Sequence, residues 1–314
     1  MTTEKEVFVG IDVSKTSHQL AVLGQPKVRD YSNQERGHQA MVRYLKLCAP
    51  TLIVLEATGG LERELAVHLR QAGFPVAVVN PTRVREFARA LGRYAKSDPI
   101  DARTLAHFGQ AVRPEVRRLP SEQETQLLNL VRRRRQIVGY ITTEKNRLHT
   151  TPTDMEERVV AHLKWLQEEL DSLNKAIDQL IQSIPEFCEK AKLLRSVPGI
   201  GPVNASTLLA EMPELGNVSR QKIAALAGVA PFNRDSGQKK GKRKTFGGRY
   251  GVRSTFYMAV LSAKTHNPII KRFYDRLIKK GKLPKVALVA CMRKLLSILT
   301  VMLRRKESWR PAHL

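Results

Sequence analysis

Val7-Phe8-Val9-Gly10-Ile11-Asp12-Val13 is a short apolar run, rich in β-branched residues and interrupted by one carboxylate, and it reads as a strand. His18 to Gly24 and Lys27 to Asn33 are two more runs of that kind, and the tight polar or Gly/Pro connections between the three predict an antiparallel meander. A helix is expected from about Gly37 to Cys48. Next, Thr51 to Leu55 is flanked by helical patterns and reads as a strand buried on both faces. Leu61 to Ala72 is a helix ended by Gly73, Pro75 to Val79 a further strand, and Pro81 opens another helix at its first turn. Meander strands followed by alternating helix and strand predict a mixed α/β sheet.

Outward from this sheet the strand signals stop. Ser121 to His149 and Met155 to Ile184 are long, charged and helical, with Thr150 to Pro152 as the turn between them. Along the second stretch Val159, Leu163, Leu166, Leu170, Leu173, Ile177, Leu180 and Ile184 alternate spacings of four and three, the heptad pattern of a coiled coil. Such a seam packs against either a helix of its own chain or another protomer. After Pro185 the chain predicts a mostly helical part: a short helix to Ser196, a turn at Pro198 to Pro202 and a helix through Met212. A helix over about Arg220 to Ala227, a basic Gly-rich segment from Phe232 to Gly251 and final helices at Val252 to His266 and Pro284 to Arg305 complete it. The organisation expected is therefore an α/β part over 1–120, a helical hairpin over 121–187 and a basic helical part over 188–314.

Charge separates these parts. Of 54 Lys and Arg against 29 Asp and Glu, residues 190–314 hold 27 basic and 5 acidic, so nearly all of the +25 lies there. A field of that sign attracts phosphate backbones by counterion release, which makes nucleic acid the first partner to consider. A membrane is not expected, because the most apolar stretch, Val286 to Leu303, carries Arg293 and Lys294 at its middle. Cys48, Cys188 and Cys291 are odd in number and lack zinc or disulfide spacing, and Glu4 and Lys5 precede no apolar leader. A reduced, cytoplasmic protein is the expectation.

Four carboxylates sit where apolar or turn residues would be ordinary. Asp12 interrupts the first strand, Glu56 follows Leu52-Ile53-Val54-Leu55 at the carboxyl end of the central strand, and Asp98 and Asp101 share one face of a helix start. Converging, they would repel one another unless divalent cations compensate, and an all-oxygen set points to Mg²⁺ or Mn²⁺. Two such ions could stabilise both the attacking and the leaving oxygen of a phosphoryl transfer. Each residue also has a plain alternative: Asp98 before Pro99 suits a helix N-cap, Asp12 could start a turn, and Glu56 could introduce the loop Ala57-Thr58-Gly59-Gly60. Pro198-Gly199-Ile200-Gly201-Pro202 resembles a helix-hairpin-helix turn, whose glycines Gly199 and Gly201 let backbone N–H groups approach a phosphate. Lys239, Lys240, Lys242, Arg243, Lys244, Arg249 and Arg253 form a basic run after Asp235-Ser236-Gly237, and by physics alone Ser236 is a turn residue.

Gly10-Ile11-Asp12-Val13-Ser14-Lys15, Glu56-Ala57-Thr58-Gly59, Lys96-Ser97-Asp98-Pro99-Ile100-Asp101-Ala102, Pro198-Gly199-Ile200-Gly201 and Asp235-Ser236-Gly237 stand in the order of the insertion-sequence-110 family of transposases. The chain resembles that family over nearly its whole length. The family includes the Piv-type DNA invertases, and its first domain resembles the RuvC Holliday-junction resolvases of the RNase H-like fold. The resemblance implies that Asp12, Glu56, Asp98 and Asp101 are a metal-binding tetrad for two Mg²⁺ ions. It also makes Ser236 the nucleophile, forming a transient phosphoserine link to DNA. It further implies donor and target DNA as substrates, a structured bridge RNA as guide, and a dimer or tetramer in which the site is assembled across domains and the coiled-coil seam joins protomers. Inversion without a guide RNA, a junction-resolving nuclease using activated water, and a non-enzymatic nucleic-acid-binding protein are the alternatives.

Overall fold

Apolar alternation along the first strands is resolved by a sheet covered on both faces. β1 (Phe8–Val13), β2 (Ser17–Val22) and β3 (Val28–Ser32) form the antiparallel meander, with Ile11 opposite Leu20 and Val13 opposite His18. β4 (Leu52–Glu56) and β5 (Val76–Val79) add in parallel on the other side of β1, giving the order β3-β2-β1-β4-β5. A mixed five-stranded sheet is thus the outcome, with the central strand one residue later than its sequence pattern suggested, so that Glu56 belongs to it. The computed structural model describes residues 6–93, 97–233, 235, 241 and 243–310. The chain divides into two compact units, Met1–Leu119 and Pro120–Leu314.

Parallel neighbours need crossovers, and helices supply them. On one face α1 (Glu35–Cys48) and α2 (Glu62–Gln71) bury Met41, Leu45, Leu65 and Leu69 against Val9, Ile11, Val13 and Leu20. The opposite face takes α3 (Pro81–Ala90) and α4 (Asp98–Val112), where Val84, Leu105 and Phe108 pack on Phe8, Leu52, Val54, Ala77 and Val79. Because strand side chains alternate, Phe8, Gly10 and Asp12 on β1 point to the α4 face, as do Leu52, Val54 and Glu56 on β4.

In the second unit, α5 (Glu122–Leu148) begins at a capping box, with Ser121 Oγ accepting from Glu124 N–H and Glu124 Oε2 accepting from Ser121 N–H. Its partner is α6 (Thr153–Ser183). Leu127, Val131, Ile137 and Ile141 of α5 pack on Leu166, Leu173, Ile177 and Ile181 of α6, so the heptad seam is filled from the same chain. After it come α7 (Pro185–Arg195), α8 (Pro202–Glu211), α9 (Arg220–Leu226), a two-stranded ribbon of β6 (Pro231–Phe232) with β7 (Lys244–Thr245), and α10 (Tyr250–His266). The last two helices are α11 (Pro268–Lys279) and α12 (Pro284–Arg305). Helix α12 has the length and composition of a membrane span. In this unit, however, it is the core element, with Leu288, Cys291, Met292, Leu295, Leu296 and Leu299 buried against α7, α9, α10 and α11.

Neither α11 nor the ribbon was expected from sequence. Helix α11 starts on Asn267, whose Oδ1 accepts from the N–H groups of Ile269 and Ile270, with Pro268 at the first helical position.

Candidate active site

Gly10 decides how close α4 comes to the sheet. A Cβ at that position would overlap the backbone of Ala102 and Ala106 and the side chain of Leu105, so only glycine lets α4 lie directly on β1. From this contact two residues along β1 lead to Asp12, ~6.6 Å on. One helical turn of ~5.4 Å leads back along α4 from Leu105 to Asp101 and, one turn earlier, to Asp98. Strand and helix advance by similar lengths to the same end of the sheet, and their carboxylates meet there. Glu56 arrives from β4: the parallel register Phe8 to Leu52 and Gly10 to Val54, continued by two residues, sets it beside Asp12.

Asp12, Glu56, Asp98 and Asp101 accordingly line one cavity of about 550 Å³, together with Val13, Ser14, Thr58, Pro81, Val84, Arg85, Arg89 and Arg93. The electrostatic consequence falls on Asp12. Burial, then the charges of Asp101, Asp98 and Glu56, push its carboxyl from 3.8 up to about 6, against a lowering hydrogen bond from the backbone at Val13. Four acidic groups so placed make an all-oxygen donor set suited to hard divalent cations, and the strain carried by Asp12 is what such cations would relieve.

The plain alternatives for single residues fare differently. Ser97, with extended backbone, holds the N-cap position of α4, so Asp98 lies in the first turn rather than capping it. The loop after Glu56 is held by Glu62, whose buried carboxylate accepts from the N–H groups of Thr58 and Gly60. Gly59 and Gly60 take the positive φ values that this loop requires.

The three basic residues of the cavity were missed from sequence: Arg85, Arg89 and Arg93. Their spacing of four, from α3 into the segment after it, places cations along the same cavity as the carboxylates. That spacing was visible, but an Arg every four residues also describes an ordinary solvated helix face.

In the second unit the expected nucleic-acid residues separate into three groups. Ser236, Gly237, Lys239, Lys240 and Lys242 lie outside the described residues. Arg243 and Lys244 are exposed beside and on the ribbon. Gly199 and Arg249, by contrast, have internal work. Gly199, at φ +102, sits where a Cβ would overlap Ala263 of α10, so its lack of a side chain serves helix packing, while Gly201 at the N-cap of α8 has open space. Arg249 donates to both carboxylate oxygens of Glu214 at 2.6 Å and to the carbonyl of Glu211 at 2.6 Å, which commits its guanidinium to the fold. Arg253 donates to the carbonyl of Gly247 at 3.1 Å and lies over the Tyr250 ring.

Known proteins resemble the chain in two stretches. Residues 9–154 match a DEDD-type IS110 family profile described as transposase, and residues 191–275 match one described as transposase of the IS116/IS110/IS902 family. The pilin gene-inverting protein of Moraxella bovis is 26% identical, over 96% of this chain and 97% of its own length. A protein of Sinorhizobium fredii named as a transposase is 25% identical, over 99% of this chain and 87% of its own. A 42 kDa protein of insertion element IS900 from Mycobacterium paratuberculosis is 31% identical over a shorter stretch, 49% of this chain and 39% of its own.

Proposed function

From the premise that the chain belongs to the IS110 family of transposases, we propose that it is a DNA recombinase exchanging strands by metal-assisted transesterification. In this reading Asp12, Glu56, Asp98 and Asp101 hold two Mg²⁺ ions, with Mn²⁺ as a substitute, and Ser236 supplies the attacking hydroxyl. The observation that carries it is the convergence of four carboxylates from β1, β4 and α4 on one cavity, at a cost in repulsion that Asp12 registers. Bound there, the cations would stabilise charge on the attacking and leaving oxygens of a phosphodiester. The chain's own groups do the rest. Arg85, Arg89 and Arg93 attract and orient the backbone phosphate, and Thr58 and Ser14 shape the wall of the cavity. Ser236 bonds to phosphorus as the bond to the deoxyribose oxygen breaks, leaving a phosphoserine link that a second DNA hydroxyl resolves.

The sheet, with antiparallel β1–β3 and parallel β4 and β5, suits an RNase H-like domain of the RuvC kind, which we assign to 1–120. Residues 121–187 then form the hairpin and 188–314 the basic DNA-handling part. We further propose donor and target DNA as substrates, a structured bridge RNA as guide, and a dimer or tetramer as the working form. Similarity to a pilin gene-inverting protein over almost the whole chain favours a second reading, inversion of a DNA segment without a guide. RNA that copurifies with the protein and matches DNA flanking its gene separates the first from the second.

A plasmid carrying the gene's flanking DNA, incubated with the protein and any RNA that copurifies with it, tests the chemistry. The expected result is a protein–DNA adduct that survives SDS in the wild type and is absent in Ser236→Ala. In Asp98→Asn/Asp101→Asn it falls by at least about a hundredfold, the scale on which loss of charge stabilisation acts. An adduct persisting in Ser236→Ala overturns the serine assignment, and cleaved free ends without any adduct overturn transesterification in favour of hydrolysis.

A further inference from the structure

On the face of the sheet away from the acidic cavity lies a buried polar cluster that the recombinase reading does not use. His18 of β2 and His38 of α1 are both 0% exposed, and their rings stack at 5.3 Å. Between them stands Asn33. Its amide nitrogen donates to the carbonyls of Ser14 and Lys15, both at 3.2 Å, which fixes the amide so that Oδ1 faces the two histidines. That oxygen lies 3.1 Å from Nε2 of His18 and 3.1 Å from Nε2 of His38. An amide oxygen only accepts, so an Nε2 that bonds to it carries the proton; the two Nε2 atoms also lie 3.2 Å from each other, and in the tautomer in which both serve Asn33 each Nδ1 is a bare lone pair. Neither Nδ1 has a hydrogen-bond partner, an expensive condition for a fully buried acceptor.

Next to His38 the chain supplies two more ligand groups. Glu35, one turn earlier on α1, and His68 of α2 bring their ligand atoms within 4.8 Å of one another and of a His38 nitrogen. Glu35 Oε1 is 3.7 Å from His68 Nε2 and accepts from Gln39 Nε2 at 2.8 Å, so the carboxylate is itself held in place. We propose that Glu35, His38 and His68 bind a divalent transition-metal ion of the zinc class, with His38 ligating through the Nδ1 that its bond to Asn33 leaves bare. A two-histidine, one-carboxylate set suits zinc, cobalt or nickel and not magnesium, and the hydrogen-bonded second nitrogen of His38 is the orienting arrangement that ligating histidines have. Such an ion clamps α1 to α2. Through His38, Asn33 and the carbonyls of Ser14 and Lys15, it also fastens the turn that leaves β1 just after Asp12.

Zn²⁺ titrated into the untagged full chain, with excess Mg²⁺ present to occupy the acidic cavity, tests the site. Binding of one Zn²⁺ per chain with a rise in melting temperature is expected, and Co²⁺ in its place is expected to give visible absorption. Affinity falls about tenfold or more in His68→Ala and in Glu35→Gln, two substitutions at less than fully buried positions, and is retained in Asp98→Asn/Asp101→Asn. No Zn²⁺ binding in the wild type, unchanged binding in His68→Ala and Glu35→Gln, or loss confined to the Asp98/Asp101 variant overturns the proposal. Because Zn²⁺ binding is read without DNA, the outcome is independent of whether the chain recombines DNA by the route proposed above.

Discussion

Asp12 and Val13 are neighbours on β1 and look in opposite directions. Asp12 faces α4 and the company of Glu56, Asp98 and Asp101; Val13 faces α1 and α2, where its strand partner is the buried His18. On the first face four carboxylates meet, and burial together with their repulsion raises the pKa of Asp12. On the second, two neutral imidazoles are buried with one nitrogen each unserved. Both arrangements cost folding energy, and they do so with opposite electrical sign, which makes the two faces separable by experiment.

Gly10→Ala is the severest way to disturb one face and spare the other. The added Cβ would run into the backbone of α4, and overpacking against main chain has no flexible side chain to give way. A loss of about 3 kcal/mol or more in stability is expected, from the upper range of overpacking costs. Mg²⁺ affinity should drop as well, although every carboxylate is still present, because α4 carries Asp98 and Asp101 away from Asp12. Denaturation and Mg²⁺ titration measure the two effects. Zn²⁺ uptake by a folded fraction should remain, since Glu35, His38 and His68 belong to the other face; unchanged Mg²⁺ affinity in Gly10→Ala would show that the β1–α4 contact does not position the site.

A second test uses pH on the metal-free protein. Asp12 has its folded pKa raised from 3.8 to about 6, so between those values the folded chain holds more protons than the unfolded one. Stability then falls as pH rises from about 4 to about 6, by on the order of 1–2 kcal/mol once solvent screening of this half-buried carboxyl is allowed for, and stays lost above that. His18 and His38 have folded pKa values lowered below 6.5, mainly by burial. There the unfolded chain binds more protons, and the stability present above 6.5 is lost as pH falls. Melting curves of Asp12→Asn and His18→Gln subtracted from wild type should therefore slope in opposite directions with pH. Mg²⁺ at pH 7 should erase the Asp12 difference alone. Parallel slopes would remove the distinction between the faces.

How much of this could be read in advance depended on whether a residue was odd by itself. Asp12 within an apolar strand and Glu56 at the end of another were anomalies of type and position, and Asp98 and Asp101 announced a shared face by their spacing. The meander and the parallel strands followed from apolar runs and turn residues. His18, Asn33 and His38 gave no such signal, because each is ordinary on its own element and becomes costly only when β2, the β3–α1 connection and α1 are brought together. Helix α11 was hidden in a different way: Lys271, Arg272, Arg276, Lys279 and Lys280 disguise the stripe of Ile269, Ile270, Phe273 and Tyr274 that packs inward. For Arg249 the charge was legible and the partner was not. Glu214 lies 35 positions earlier in the chain, and only the fold turns a presumed DNA contact into an internal ion pair.

The smallest expected effect compares two arginines. Arg89 lines the acidic cavity, whereas Arg43 is exposed on α1, which covers the other face of the sheet. A cation that meets a DNA phosphate releases about 0.9 counterion, and this appears as a change in the slope of log affinity against log salt. Arg89→Ala should lower the magnitude of that slope by about 0.9 while altering affinity about equally for every DNA sequence, as phosphate contacts do. Arg43→Ala should leave the slope where it was, since Arg43 lies on the face of the sheet opposite the cavity. The comparison uses charge-neutralising changes of the same kind at two exposed helical positions, so net charge cancels between the variants and what remains is location. Equal slopes in both would mean that the carboxylates repel the backbone from the cavity even with cations present, and the phosphate-binding role of Arg85, Arg89 and Arg93 would fall with that result.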